Sequence, residues 1–205
     1  LVVGLARSGR AAAALLARRG WDVVAVDAAE VSAPELIAVG VDVRAPSVEP
    51  VTDVDLVVKS PGVPADARPI AAARAATLEI ISEIELAARY LDNPVIAITG
   101  TNGKTTTTEL TAHLLRRSGI DAVACGNQGT PLCGLADAVD PATWLVVECS
   151  SFQLEDVGAA FHPRAAVLLN LTPDHLDRHA DMADYLAAKL RVFENMRPRD
   201  LAVAP

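Results

Sequence analysis

The sequence predicts an α/β protein made of two successive units, each with a mainly parallel, doubly wound sheet, dividing near residue 92. Three observations carry this. Short apolar runs such as Leu1–Gly4 (LVVG), Asp22–Asp27 (DVVAVD) and Val54–Gly62 (VDLVVKSPG) alternate with helical stretches. Runs that are apolar throughout suit strands buried on both faces of a parallel sheet. The alternation then restarts after Leu91–Pro94 (LDNP), where Pro94 holds Asn93 extended and discourages continuation of the preceding helix. Hydrophobic residues make up 51% of the chain and aromatics only 3%, so the cores must be built from Ala, Val, Leu and Ile.

Taken in order, Leu1–Gly4 reads as a strand entering a Gly-containing turn. Ser8 is placed to cap a helix over Arg10–Arg19 that Gly20 ends. Strands follow at Asp22–Asp27 and Val54–Gly62, then a helix over Ile70–Ala76 and a short strand at Leu78–Ile81. Ser82 and Glu85 have the Ser-x-x-Glu spacing of a capping box and predict a helix from Ser82. Past the linker come a strand through VIAITG, a helix over Lys104–Ser118, and strands near Ile120–Ala124, Trp144–Glu148 and Ala165–Leu169. Leu1 stands inside a strand and Pro205 follows the apolar run LAVA, so the natural chain is expected to be longer.

The formal charge of -8 argues against a non-specific nucleic-acid binder, which needs clustered Lys and Arg. A small anionic ligand stays open, since a helix start can hold phosphate with backbone N–H groups. Three cysteines, Cys125, Cys133 and Cys149, lack C-x-x-C spacing and predict free thiols in a reducing cytoplasm. No apolar run is long enough to cross a bilayer; Ala11–Ala17 is soon closed by Arg18 and Arg19.

The strongest motif is ITGTNGKTTTTEL, Ile98–Leu110. An apolar strand feeds a Gly-rich turn and then a helix with Lys and Thr at its mouth. Gly100, Thr101, Asn102, Gly103, Lys104, Thr105 and Thr106 thus form a P-loop-type cradle for a nucleotide triphosphate. Backbone N–H groups face phosphate, Lys104 adds charge, and the Thr105 hydroxyl can ligate Mg²⁺. The match departs from the usual spacing, because Ile98 stands where the first Gly belongs. The opening Gly4–Gly9 (GLARSG) is a degenerate Rossmann-like fingerprint with Ala6 in the second Gly place, and Asp27 ends the next strand. Alone it fits a dinucleotide site, a plain tight turn or a nucleotide-sugar site. Glu148 follows an apolar strand and is placed to hold the nucleotide's Mg²⁺. In LNLTPDHLDRH, Leu169–His179, the spacing of His175 and His179 admits zinc, but no third ligand stands out.

Together these motifs resemble the Mur ligase family along nearly the whole chain. Ser60–Gly62 (SPG), Gly126–Pro131 (GNQGTP), Glu148–Glu155 (ECSSFQLE) and Tyr185–Asn195 (YLAAKLRVFEN) are similar to its D-glutamate-adding branch. The resemblance implies ATP-dependent ligation of D-glutamate to UDP-N-acetylmuramoyl-L-alanine through an acyl phosphate, in peptidoglycan precursor synthesis. It implies residues 1–91 as the UDP-substrate unit and 92–205 as the first part of the ATP unit. A later amino-acid-binding domain would be missing, leaving residues 1–205 inactive alone. By motif match, Thr105 and Glu148 would hold one Mg²⁺. His175 and Lys189, the latter carbamylated by CO₂, would serve a second. Lys104, His175 and Lys189 would be catalytic. Ser8, Asp27, Ser60, Gly62, Asn127 and Gln153 would contact the nucleotide-sugar substrate. A monomer, with no nucleic-acid or membrane partner, is the expectation. The competing readings are a sister ligase for another amino acid, an NAD-dependent oxidoreductase carrying a P-loop, and a non-catalytic nucleotide-binding module.

Overall fold

The computed structural model describes residues 1–45 and 53–205. The first sheet has strands β1 (Val2–Val3), β2 (Val24–Val26), β3 (Asp42–Arg44), β4 (Leu56–Lys59) and β5 (Glu79–Ser82) in the order β3-β2-β1-β4-β5. The second has β6 (Val95–Thr99), β7 (Ala122–Gly126), β8 (Trp144–Glu148), β9 (Ala165–Leu168) and β10 (Leu201–Val203) in the order β10-β9-β6-β8-β7. Every pairing in both sheets is parallel. In each sheet the strand order reverses at the first strand, β1 or β6. Open α/β sheets present their binding crevice outside the carboxyl strand ends at such a switch point. The Gly-rich turns after β1 and β6 lie there.

Helices α1 (Arg7–Arg18), α2 (Pro34–Ile37), α3 (Arg68–Ala75) and α4 (Glu83–Ala88) accompany the first sheet. Helices α5 (Lys104–Arg117), α6 (Ser151–Leu154) and α7 (Met182–Leu190) accompany the second. The elements at Pro34–Ile37, Asp42–Arg44, Ser151–Leu154 and Leu201–Val203 are too short to carry a periodicity, and the sequence did not reveal them as elements.

Two capping expectations are corrected. Ala6, not Ser8, is the N-cap of α1, and no side chain caps it. A Cβ on Gly9 would sit 1.7 Å from the Gly4 carbonyl oxygen, so the helix packs directly on the β1 turn and must begin earlier than Ser8 suggests. At α4 the Ser82 hydroxyl accepts from Glu85 N, but the capping box is not closed, because the Glu85 carboxylate is engaged elsewhere. It accepts the N–H groups of Ala160 (3.1 Å) and Phe161 (2.9 Å), backbone outside any ladder. The reciprocal box forms at α6, where Ser150 and Gln153 satisfy one another's N–H groups.

One apolar cluster runs through both sheets. Leu16, Ile84, Leu132, Leu145 and Phe161 are all buried in it, which joins α1 and α4 to the 3₁₀ turn Leu132–Gly134 and the near face of the second sheet. Smaller clusters around Val57 and Ile70, and around Ile98 and Val146, fill the outer faces. Buried polar groups also cross this junction. Lys59 Nζ, its side chain wholly buried, lies 2.6 Å from Asp156 and 3.3 Å from Glu155. Glu83 accepts the Cys133 N–H at 2.6 Å through one oxygen, while its second oxygen is buried without a partner. Burial raises this carboxyl from 4.5 to about 7, against the lowering effect of the Cys133 N–H.

That shift fixes a sign. Above 4.5 the unfolded carboxylate is ionised while the folded one still holds its proton, so stability falls with rising pH until about 7 and is level above it. Glu83→Gln is therefore expected to remove part of the stability loss between about pH 4.5 and about pH 7. Urea unfolding at several pH values measures this, and coincident slopes for the two proteins would show that Glu83 does not carry it.

Candidate active site

The β6 turn is shaped by Gly103, whose φ of 82° places the α5 N-cap in the left-handed region that non-glycine residues avoid. The Gly100–Gly103 turn is then tied to the chain after β9. Thr101 N donates to the Asn170 carbonyl at 3.1 Å, and Asn102 N to the Asn170 side-chain oxygen at 2.9 Å. Lys104 Nζ folds over the turn and donates to the carbonyls of Gly100 (3.1 Å) and Thr101 (2.8 Å). Thr106 follows on the first turn of α5.

Glu148, at the end of β8 and 2% exposed, lies beside this turn. Thr105 Oγ1 donates to one of its oxygens at 2.7 Å, and Asn127 Nδ2 donates to the other at 2.9 Å. A cavity of about 980 Å³ opens at the carboxyl ends of β1, β2 and β4, and Asn127 lies on its wall. Ser8, Asp27, Ser60 and Gly62 line it too. Asp27 is already occupied by backbone: it accepts the N–H of Leu5 at 2.6 Å and of Ala29 at 3.2 Å, which shapes the pocket floor. Ser60 Oγ donates to the Gly4 carbonyl at 2.8 Å. Gln153 does not line the cavity. It is fully buried in the α6 capping box, and its Nε2 has no hydrogen-bond partner.

Lys189 is the least expected feature. Although a lysine, it is 1% exposed; its Nζ donates to the Gly100 carbonyl at 2.8 Å and sits 4.4 Å from the Tyr185 ring centre. Two cationic side chains thus share one carbonyl of the turn. Burial, then the Lys104 charge, lowers the Lys189 amine from 10.5 to about 8. His175 adopts φ 54°, its side chain half exposed and its ring 6.2 Å from Tyr185. The Gly100 carbonyl thus gathers Lys104 and Lys189, the Tyr185 ring meets Lys189 and His175, and Glu148 joins the start of α5 through Thr105.

Sequence reasoning did not single out Tyr185 or Asn170. Tyr185 is fully buried with its hydroxyl 3.3 Å from Thr101 Oγ1; it precedes Lys189 by four residues on α7, a spacing that places both on one helix face. His175 and His179 do not lie on a helix, and among the described residues no three metal-binding side chains converge. All three cysteines are free and buried. Burial pushes Cys125 to about 12 and raises Cys133 and Cys149 as well, so each stays a thiol rather than a nucleophile. No helix among the described residues is long and apolar enough to cross a membrane.

The Mur ligase middle domain matches residues 98–205, more than half of the chain. The chain is 47% identical to UDP-N-acetylmuramoylalanine--D-glutamate ligase from Geotalea uraniireducens over 99% of its own length and 46% of that protein's. It is also 47% identical to the ligase of the same name from Geobacter metallireducens, with the same coverages. The chain thus spans about half the length of the curated relatives it matches. Among solved structures, UDP-N-acetylmuramate:L-alanyl-gamma-D-glutamyl-meso-diaminopimelate ligase from Neisseria meningitides superposes with a TM-score of 0.61. It is 23% identical, over 99% of this chain and 69% of that one, and supports the fold alone. With its two parallel sheets, its Gly-rich turn after β6 and these matches, the chain belongs to the Mur ligase family.

Proposed function

We propose that this chain carries the nucleotide-substrate site and most of the ATP site of a ligase that joins D-glutamate to UDP-N-acetylmuramoyl-L-alanine. In this reading residues 1–91 bind the UDP-substrate and residues 92–205 bind ATP, while the amino acid binds to a part of the protein outside these residues. The substrate identity is that named for the two relatives. The observation that carries the reading is the single carboxylate of Glu148, held by Thr105 of the phosphate turn on one side and by Asn127 of the cavity wall on the other. It places the cavity beside the phosphate turn, as phosphoryl transfer between two bound molecules requires.

A carboxylate becomes an acylating group only when one oxygen is converted to a leaving group. The γ-phosphoryl group of ATP would pass to the alanyl carboxylate, giving an acyl phosphate and ADP. The D-glutamate amine would then attack the carbonyl carbon, forming the amide and releasing phosphate. Both steps bring anions together, and the chain supplies what offsets them. Backbone N–H groups at the start of α5, after Gly103, and the Lys104 ammonium would face the phosphates.

The donor set beside the turn fits magnesium: the Thr105 hydroxyl and the Glu148 carboxylate are hard oxygen ligands, and they would hold one ion. Bound magnesium supplies Lewis-acid neutralisation of phosphoryl charge. At the second position His175 and Lys189 lack oxygen. The Lys189 amine, lowered to about 8, has a substantial neutral fraction near that pH. Reaction of the neutral amine with CO₂ forms an N-carboxylate and releases one proton, which converts the nitrogen into an oxygen ligand.

Two outcomes follow in the full-length protein. Lys104→Ala is expected to lower kcat by about a hundredfold or more, as loss of a transition-state cation does. Steady-state kinetics decide this, and wild-type turnover would remove Lys104 from the mechanism. Lys189→Ala is expected to fold yet be nearly inactive, with activity partly restored by added short-chain carboxylic acids. Retention of more than about a tenth of wild-type kcat without any additive would exclude the carbamate role.

A further inference from the structure

His179 lies outside the machinery described so far, yet both its ring nitrogens and its ring are engaged by neighbours. It is 3% exposed, stacked on Phe152 with centroids 5.3 Å apart and planes 8° apart, and tilted against Tyr185 at 5.0 Å. Its Nε2 is 2.9 Å from Ser151 Oγ. Its Nδ1 is 3.2 Å from Asp184 and 3.6 Å from Glu155. An ionised carboxylate only accepts, so Nδ1 carries a proton, and in the neutral ring Nε2 accepts from the Ser151 hydroxyl. Glu155 in turn reaches the buried Lys59 ammonium at the end of β4.

The array Ser151–His179–Asp184 has the order of a nucleophile, base and acid, but Ser151 is 2% exposed and beyond the reach of substrate. Both ring nitrogens are engaged, which also leaves none for a metal. What the array joins is more telling. Ser151 begins α6, whose Ser150–Gln153 box lies directly after Glu148. Asp184 and Tyr185 sit on the first turn of α7, whose later turn carries Lys189. Tyr185 touches both His179 and Lys189 Nζ.

We propose that His179 is a positioning residue that locks the start of α7 to the α6 turn and so keeps the Lys189 amine seated on the Gly100 carbonyl. The physical need is clear from the geometry. Lys189 is held by one hydrogen bond from a buried amine that also faces the Lys104 charge. Rotation of α7 about its axis would carry the amine off that carbonyl, and small misplacements of reacting groups are costly. The Nδ1–H to Asp184 bond and the stacked Phe152 ring oppose that rotation.

This inference rests on the proposed role of Lys189, and the experiment separates the two. In the full-length ligase, His179→Phe retains a ring against Phe152 and Tyr185 but removes both polar links. His179→Asn retains a donor near the Nδ1 position and with it the link to Asp184. His179→Phe is expected to lose about tenfold or more in kcat with KM for ATP within about twofold, whereas His179→Asn retains kcat within about threefold. A purely structural role would instead lower kcat in step with lost thermal stability in both variants. Unchanged kcat in His179→Phe, or equal losses in Phe and Asn variants, would overturn the inference. Lys189→Ala assayed in parallel tells the failures apart. If it is active, the reading of Lys189 falls; if it is inactive while His179→Phe turns over normally, only the role of His179 falls.

Discussion

The geometry of the site depends on one buried carboxylate. Glu148 ends β8 next to β6, and its two oxygens are divided between Thr105 at the start of α5 and Asn127 on the cavity wall. A buried carboxyl group that is 2% exposed is costly unless hydrogen-bonded, so the two donors are obligatory company for it. The consequence is positional. The end of β8 fixes the carboxylate, the carboxylate fixes Thr105 and Asn127, and these tie the start of α5 to the wall of the neighbouring cavity. A parallel sheet makes this possible because all its strands deliver their carboxyl ends, and the polar residues that follow them, to one edge.

A second constraint is the burial of cationic nitrogen close to that edge. Lys104 and Lys189 both donate to the Gly100 carbonyl, and burial, then the Lys104 charge, raises the cost of protonating Lys189. The carbonyls of the turn and the Tyr185 ring face offset part of that cost. Lys189 is consequently shifted toward the range where an amine reacts, while α7 and the residues packed on its first turn hold the nitrogen in place. The same chemistry that makes the residue unfavourable as a core lysine makes it useful as a nucleophile toward CO₂ in the proposed function.

The junction of the two sheets shows a third pattern, in which acidic side chains hold backbone. Glu85 accepts two N–H groups from Ala160 and Phe161, Glu83 one from Cys133, and Asp156 meets Lys59. These contacts surround an apolar cluster that both sheets share. Apolar contact is non-directional, whereas a carboxylate on particular N–H groups sets an orientation. The relative placement of cavity and phosphate turn therefore rests on α4 as much as on the core.

Much of this was written in the chain order. Apolar runs such as Trp144–Val147 read as strands buried on both faces, and Gly-rich turns were expected after the strands β1 and β6, where the structure has them. Asp27, Lys104 and Glu148 were singled out because each follows a strand or its turn, where side chains gather at one edge of a parallel sheet, whereas Ser60 and Asn127 were named through the family resemblance. The tertiary structure decided what depends on partners distant in sequence. Ser8 lost its cap because Gly9 lies against the Gly4 carbonyl, and Glu85 left its box for backbone 75 residues away. Gln153 went to the interior of a turn rather than the cavity wall. Tyr185 and His179 gained their places only when α6, α7 and the phosphate turn met. Local sequence determines which segments form strands and turns, because those follow from periodicity and backbone sterics. Which buried donor meets which acceptor is decided by packing, since every such pair draws on elements that only the folded chain brings together.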